Sequence, residues 1–248
     1  RRVKVQEGGS APLLQADLTL EVPAGFPVRV VNHVGRVAAR GVGGALEVRT
    51  ASADVSAEAI DGEADVRTGS GDVRVRGAAG IDVETGSGDV EAEAVSGAVS
   101  VRTGSGDVRL GRAEATRVSV RTGSGDIELE GAAGDLELST GSGDVRGRAV
   151  ARVSRLDVGT GSGDVSLSIE ATSFEGGTVE AASGDVSLSF GAAPAMRLSV
   201  STASGDIDAS GLELTKVEKR GERSLLADVR GGGPLLKVST ASGSVRIR

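Results

Sequence analysis

"TGSGD" occupies Thr68–Asp72 and returns at Thr85–Asp89, Thr103–Asp107, Thr122–Asp126, Thr140–Asp144 and Thr160–Asp164, with relaxed copies on either side. The repeated Asp falls at 54, 72, 89, 107, 126, 144, 164, 185 and 206, and Ser244 takes its place in the final copy. Successive intervals are 18, 17, 18, 19, 18, 20, 21 and 21 residues, and then 38, which reads as two windings. Self-similarity at so short a period outranks other sequence signals, because it marks one small structural unit stacked on itself. "VVNHVGRV" reads as a degenerate earlier copy that aligns Asn32 with Thr50 and Val37 with Val55.

Within each copy apolar and polar residues alternate at period two, the pattern of a strand with one buried face. Ala64, Val66 and Thr68 precede one motif, and Val73 and Val75 follow it; Leu136, Leu138 and Thr140 precede another, and Val145 follows. From Thr140 to Val145 is an odd step, so both cannot face inward along one straight strand. The chain must bend at Gly-Ser-Gly-Asp, where glycine accepts positive φ without steric cost. Val42, Ile60, Ala78, Val95 and Ala132 supply one more apolar position per copy and predict a short third side.

Charges decide between stacked coils and a meander of hairpins. Two residues beyond the motif Asp stand Arg74, Glu91, Arg109, Glu128 and Arg146; four beyond it stand Glu58, Arg76 and Glu93. The sign alternates copy by copy. Parallel, in-register stacking at about 4.8 Å places each charge between opposite ones, each pair contributing roughly 0.2–1 kcal/mol. A propeller blade needs about 40 residues and an aromatic-rich signature, whereas aromatics here are 1% of the chain.

The expected fold is therefore all-β: a single-stranded parallel β-helix, or triangular β-solenoid, of about 18–21 residues per coil and about 11–12 coils. At about 4.8 Å per coil the rod is on the order of 50–60 Å long. With Phe26, Phe174 and Phe190 as the only rings, the core must be a thin column of Val, Leu, Ile and Ala. One domain is expected over residues 1–248. Residues 1–27 form an N-terminal cap and first strands, 28–209 regular coils, 210–237 an irregular coil or hairpin, and 238–248 the last coil. Side loops are expected at "ATSFEGG" and "GAAPAMR".

The serial "TGSGDV" units, the opening "EVPAGFPVRVVNHVGRV" and the closing "GGGPLLKVSTASGSV" resemble the bacterial adhesin-like family of β-strand-repeat proteins, a domain of unknown function. The resemblance covers nearly the whole chain. It implies a right-handed helix and an extracytoplasmic location, in the cell envelope or secreted; it implies no established activity.

The Asp column raises the sharpest chemical question. Stacked carboxylates repel by roughly 1 kcal/mol per neighbour in water and 3–4 kcal/mol at an effective dielectric near 20, so something must offset them. One reading has each Asp accept hydrogen bonds from the Ser hydroxyl and Gly amides of its own corner. The other places Ca²⁺ along Asp72, Asp89, Asp107, Asp126, Asp144 and Asp164, an oxygen-rich row of the kind that ion requires. "GSGD" departs from the calcium-binding GGxGxD nonapeptide by one residue, which favours the first.

The Thr column from Thr50 to Thr240 has inward parity, so its methyls are expected in the core and its hydroxyls at the corner, which excludes a flat ice-binding array. His33 is the single histidine and sits at a corner. Without Trp or Tyr there is no stacking platform for sugars, and repeated identical carboxylates do not make the unlike acid–base pair of a glycosidase. Cys is absent and the net charge is −7, which excludes a thiolate metal site and disfavours nucleic acid, whose phosphates need a basic face. No apolar run reaches the length of a membrane span.

The sequence thus points to a non-catalytic structural or interaction solenoid of the bacterial envelope. No cofactor is expected, and the partner is an unspecified protein or envelope component. A calcium-stabilised extracellular module is the alternative and a carbohydrate-active enzyme the remote one.

Overall fold

The alternation of Val and Thr with charged residues is realised as parallel strands stacked in register. The computed structural model describes residues 19–23, 25–170 and 174–248, and no helix occurs among them. Val30 pairs with Val48 and Val66 with Val83. Val83 is followed by Val101, Val120, Leu138, Val158 and Val179 in one continuous column. On the second side Val55, Val73, Val90, Val108, Ile127 and Val145 stack in the same way. Ile60, Ala78 and Val95 line the third. From Val48 onward these side chains are buried, so the core is a thin aliphatic column, each layer covering the one beneath.

Two corners bend the chain. At the motif corner the second glycine takes positive φ, +155° at Gly88, and a Cβ there would lie 2.1 Å from the Gly71 carbonyl oxygen of the coil below. Only glycine lets the two backbones approach so closely. At the next corner one residue per coil enters the left-handed region: Gly41, Ala59, Gly77, Ala94, Arg112, Gly131 and Ala149, with φ between 50° and 71°. Three of them are alanines held there by the stacked coils around them.

About nine complete coils result, fewer than the 11–12 expected from spacing. The difference lies at the C-terminal end, where two windings never close a third side. After Ile207–Asp208 the chain leaves for an antiparallel hairpin, Leu214–Gly221 with Ser224–Val229. The chain then returns as the strand Leu235–Ser242, which is not the outermost coil that chain order predicted. It lies between Gly176–Ser183 on one side and Met196–Ser204 on the other, parallel to both. Val245–Ile247 is likewise held between Val186–Phe190 and Ile207–Asp208. The 38-residue interval from Asp206 to Ser244 is therefore one step in space, and a step backward.

The hairpin strand Ser224–Val229 runs antiparallel along the outer edge of Met196–Ser204, with Leu225, Ala227 and Val229 buried. The hairpin thus covers the edge of strand 196–204 with antiparallel pairing in place of a further parallel coil. Phe174, Phe190 and Met196, in the lengthened coils, are buried in the same core. Residues 171–173 of the first side loop and 1–18 and 24 of the expected N-terminal cap lie outside the described residues. At the near end Phe26, Val31 and Val34 are exposed.

Candidate functional site

The motif corner gathers the one repeated polar array, and its geometry follows from how a parallel ladder meets a bend. In a parallel strand, backbone amides point alternately to the coil above and the coil below. At the corner the Gly71 and Val73 amides donate forward, to the Ser87 and Asp89 carbonyls, at 3.0 and 2.9 Å. The Asp72 amide between them points back, and its acceptor is the Asp54 carboxylate, Oδ1 at 3.1 Å.

The same bond recurs at every level. The amides of Asp89, Asp107, Asp126, Asp144, Asp164 and Asp185 donate to Oδ1 of the preceding motif Asp at 2.7–3.2 Å. The Ser244 amide donates to Asp185 Oδ1 at 2.7 Å, and the Asp206 amide closes the row on Ser244 Oγ at 3.4 Å. The acceptor thus serves the next coil, whereas the sequence suggested donors from the Asp's own corner. The carbonyl just before the corner residue is met, in several coils, by a second row. Thr122, Thr140, Thr160, Thr240 and Thr202 donate their hydroxyls to Gly106, Gly125, Gly143, Gly184 and Gly243 oxygens at 2.9–3.2 Å. The motif threonines are buried from Thr68 to Thr240, while the hydroxyls of Thr50 and Thr85 have no partner.

The motif residues therefore divide the physical work of the corner. Thr and Asp supply polar groups where the bend breaks the ladder, and the glycines permit close approach. Carboxylate repulsion is offset by the amide bond and, at Asp72, Asp107 and Asp144, by the arginine two residues on. Asp72 Oδ2 faces Arg74 at 3.6 Å and Asp107 Oδ2 faces Arg109 at 3.0 Å, while Arg146 bridges Asp126, at 2.9 Å, and Asp144. The Asp126 carboxyl is held below its ordinary range, first by the Asp144 amide and then by Arg146, against the opposing effect of burial.

Asp72, Asp89, Asp107, Asp126, Asp144 and Asp164 are thus brought into one line, but a line is not a cage. Among the described residues no three His, Asp or Glu side chains converge as metal ligands would. One oxygen of each of the six already accepts an amide. His33 is exposed at the first corner, its amide donating to Asn32 Oδ1. Of the surface depressions, one lies against Pro27, Arg29, Glu47 and Asp65, and a shallow one runs over Ser139, Glu180 and Ser239 and reaches the motif residues Thr140, Thr160 and Thr240.

Outside the corner the alternating charges pair across coils: Arg40 with Glu58 at 3.0 Å, Arg74 with Glu91 at 3.3 Å, Arg76 with Glu93 at 3.4 Å, and Arg109 with Glu128 at 3.6 Å. Arg67 reaches Asp65, Asp82 and Glu84 together. These pairs are largely exposed and contribute about 0.2–1 kcal/mol each; their main effect is on register.

The profile of a family described as Toastrack DUF4097 matches residues 76–248. No curated protein and no solved structure matches the chain.

Proposed function

Because the chain belongs to the Toastrack family, a β-solenoid domain of unknown function, its role must be read from the solenoid itself, and we propose a non-catalytic scaffold of the bacterial cell envelope. It holds an interaction surface at a fixed distance. The observation that carries this reading is the Asp row. The carboxylates that repetition offers to chemistry are bonded to the amides of neighbouring coils, so the polar array acts in stiffness. The envelope location and the adhesin-like role rest on the resemblance of the residues alone.

Protease treatment of intact cells producing an epitope-tagged chain tests the location. Loss of the tag before lysis is expected; protection until lysis overturns it. Incubation with a panel of polysaccharides tests the non-catalytic part, which product formation abolished by one Asp substitution would end. The calcium-stabilised reading makes the opposite thermal prediction. A melting midpoint unmoved by millimolar Ca²⁺ and by chelator supports the hydrogen-bonded row, and a calcium-dependent rise supports the metal.

A further inference from the structure

The two ends of the stack are not alike. The far end is covered by the hairpin, whereas among the described residues Val28–Val42 pairs with Leu46–Ser70 alone, so one edge of this first coil is open. Its inward residues Val28, Val30, Ala39 and Val42 are only half-buried, while their register partners Leu46, Val48, Ala57 and Ile60 are buried. Of the seven large apolar side chains exposed among the described residues, five gather here: Leu20, Val22, Phe26, Val31 and Val34. An open edge of this kind is a template for a further strand.

The first coil also dictates what can cover it. Val28–Val42 contains Arg29, Arg36 and Arg40 and no Asp or Glu. Arg29 faces Glu47 at 3.4 Å and Arg40 faces Glu58 at 3.0 Å, and Arg36 is the register partner of Asp54. A strand that continues the alternation of sign must therefore set acids over these arginines, and the Arg40 side chain is still 77% exposed. A second copy would bring the same three arginines and be repelled, since like charges directly opposite destabilise a strand pair. Arg36 also stands at the motif position. The Asp72 amide there donates back to the Asp54 carboxylate, so by the same register the Arg36 amide points out of the open end.

One segment of the chain meets these requirements. Residues 16–21 read Ala-Asp-Leu-Thr-Leu-Glu, against Ala-Asp-Val-Ser-Ala-Glu at 53–58, with the basic coil between the two. An interval of 19, within the spread of the repeat, sets Asp17 on Arg36, Leu18 on Val37, Leu20 on Ala39 and Glu21 on Arg40. An interval of 18 would set Leu18 and Val22 on the arginines, because a slip of one residue turns every side chain to the other face. Four residues, 24–27, separate Pro23 from Val28, where three, 43–45, separate Val42 from Leu46 in the next coil. Chain connectivity thus delivers the segment to this edge, and Pro23, with no amide to donate, ends the added ladder.

We propose that residues 16–22 dock as a parallel strand on residues 36–42, a strap that closes the open end of the solenoid. Asp17 extends the carboxylate row by one level and accepts the Arg36 amide, Glu21 pairs with Arg40, and Leu18 and Leu20 cover Val37 and Ala39. The described arrangement, with residues 19–23 outside any strand and Leu20 exposed, is the open form of this edge.

The absence of cysteine makes this directly testable in the full chain. Thr19 and Ala38 are partners in the proposed register, and Ser56 lies one coil further on, opposite Ala38. Parallel neighbours lie about 4.8 Å apart, and a disulfide needs Cα atoms within about 7 Å. On oxidation Thr19→Cys/Ala38→Cys should therefore close within one chain severalfold faster than Thr19→Cys/Ser56→Cys, whose partners are two layers apart. Glu21→Arg should slow the first closure, and Arg40→Glu added to it should restore the rate. In a chain without cysteine, Asp17→Ala should speed hydrogen exchange at the Arg36 amide and leave the Asp144 amide unchanged. Equal closure of both pairs, no rescue by Arg40→Glu, or an Arg36 amide that exchanges no faster after the Asp17 substitution would overturn the proposal. Disulfide-linked dimers in place of the closed monomer would also overturn it, by putting a second copy on the edge.

Discussion

Asp126 offers the cleanest test of the corner row. Replacing it with Ala removes the acceptor of the Asp144 amide, a bond of 2.8 Å, and one partner of Arg146 at 2.9 Å. An amide left unpaired at a half-buried corner costs about 1–3 kcal/mol. The opposing gain is relief of repulsion from Asp107 and Asp144. Asp126 and Asp144 side chains are 44% and 27% exposed, so each repulsion sits nearer the aqueous limit of about 1 kcal/mol. The direction of titration decides between them. The folded surroundings favour the Asp126 carboxylate over its neutral form, so amide and guanidinium outweigh the neighbouring charges, and Asp126→Asn, neutral but still an acceptor, must lose a little rather than gain. We expect Asp126→Ala to lose about 1–3 kcal/mol and Asp126→Asn no more than about 1 kcal/mol. Because stacked coils need not unfold in one step, the measurement is site-resolved hydrogen exchange: the Asp144 amide should lose protection in the Ala variant and largely keep it in the Asn variant. Undiminished protection in Asp126→Ala, or a stabilised Asp126→Asn, would rule out the carboxylate–amide bond as the support of the corner. The sign with pH follows. A depressed folded value means Asp126's contribution is complete above about pH 4 and is lost as acidification passes through the lower folded value.

Gly88→Ala should be among the most damaging single changes, at about 3 kcal/mol or more from clash and strained φ combined. Thermal melts check this against Gly159→Ala, where an added Cβ would meet nothing within 4 Å and which should be neutral or slightly stabilising. Ala94, at φ 54°, bears a left-handed cost of about 1–2 kcal/mol. Ala94→Gly relieves it against an entropic loss of about 0.5–1 kcal/mol, so a small rise in melting midpoint is expected and a clear fall would count against the corner geometry. Glu91→Arg places a third cation between Arg74 and Arg109, its register partners. A loss of about 1 kcal/mol, larger at low salt, should appear in denaturant titrations, and a salt-independent null would count against the register.

Where each coil repeats the one below, sequence and structure carry the same information, which is why the columns of Val66, Val83 and Val101 and the alternation of Arg74, Glu91 and Arg109 could be read directly. In-register stacking converts periodicity into adjacency. That conversion fails where two segments are alike. Val200–Gly205 and Val238–Gly243 present the same residues to their neighbours, so the hydrophobic pattern does not say which lies against Val179, and only the charge of Lys237, paired with Glu180 at 2.9 Å, separates them. The Asp row was visible as a row but not as a bond, since the direction of the Asp72 amide depends on backbone orientation at a bend, and spacing does not encode that. The buried positions of Phe174 and Met196 were also beyond pattern, because both sit in coils that depart from the repeat.

The antiparallel hairpin over strand 196–204 has a consequence for how such a molecule can change. With its far end covered by a hairpin that breaks the repeat, the middle can gain or lose whole units while that terminus stays the same. Each duplicated segment of about 18 residues would move the tip by about 4.8 Å, making the reach of the molecule a quantity that unequal recombination can adjust in even increments, like notches on a ruler.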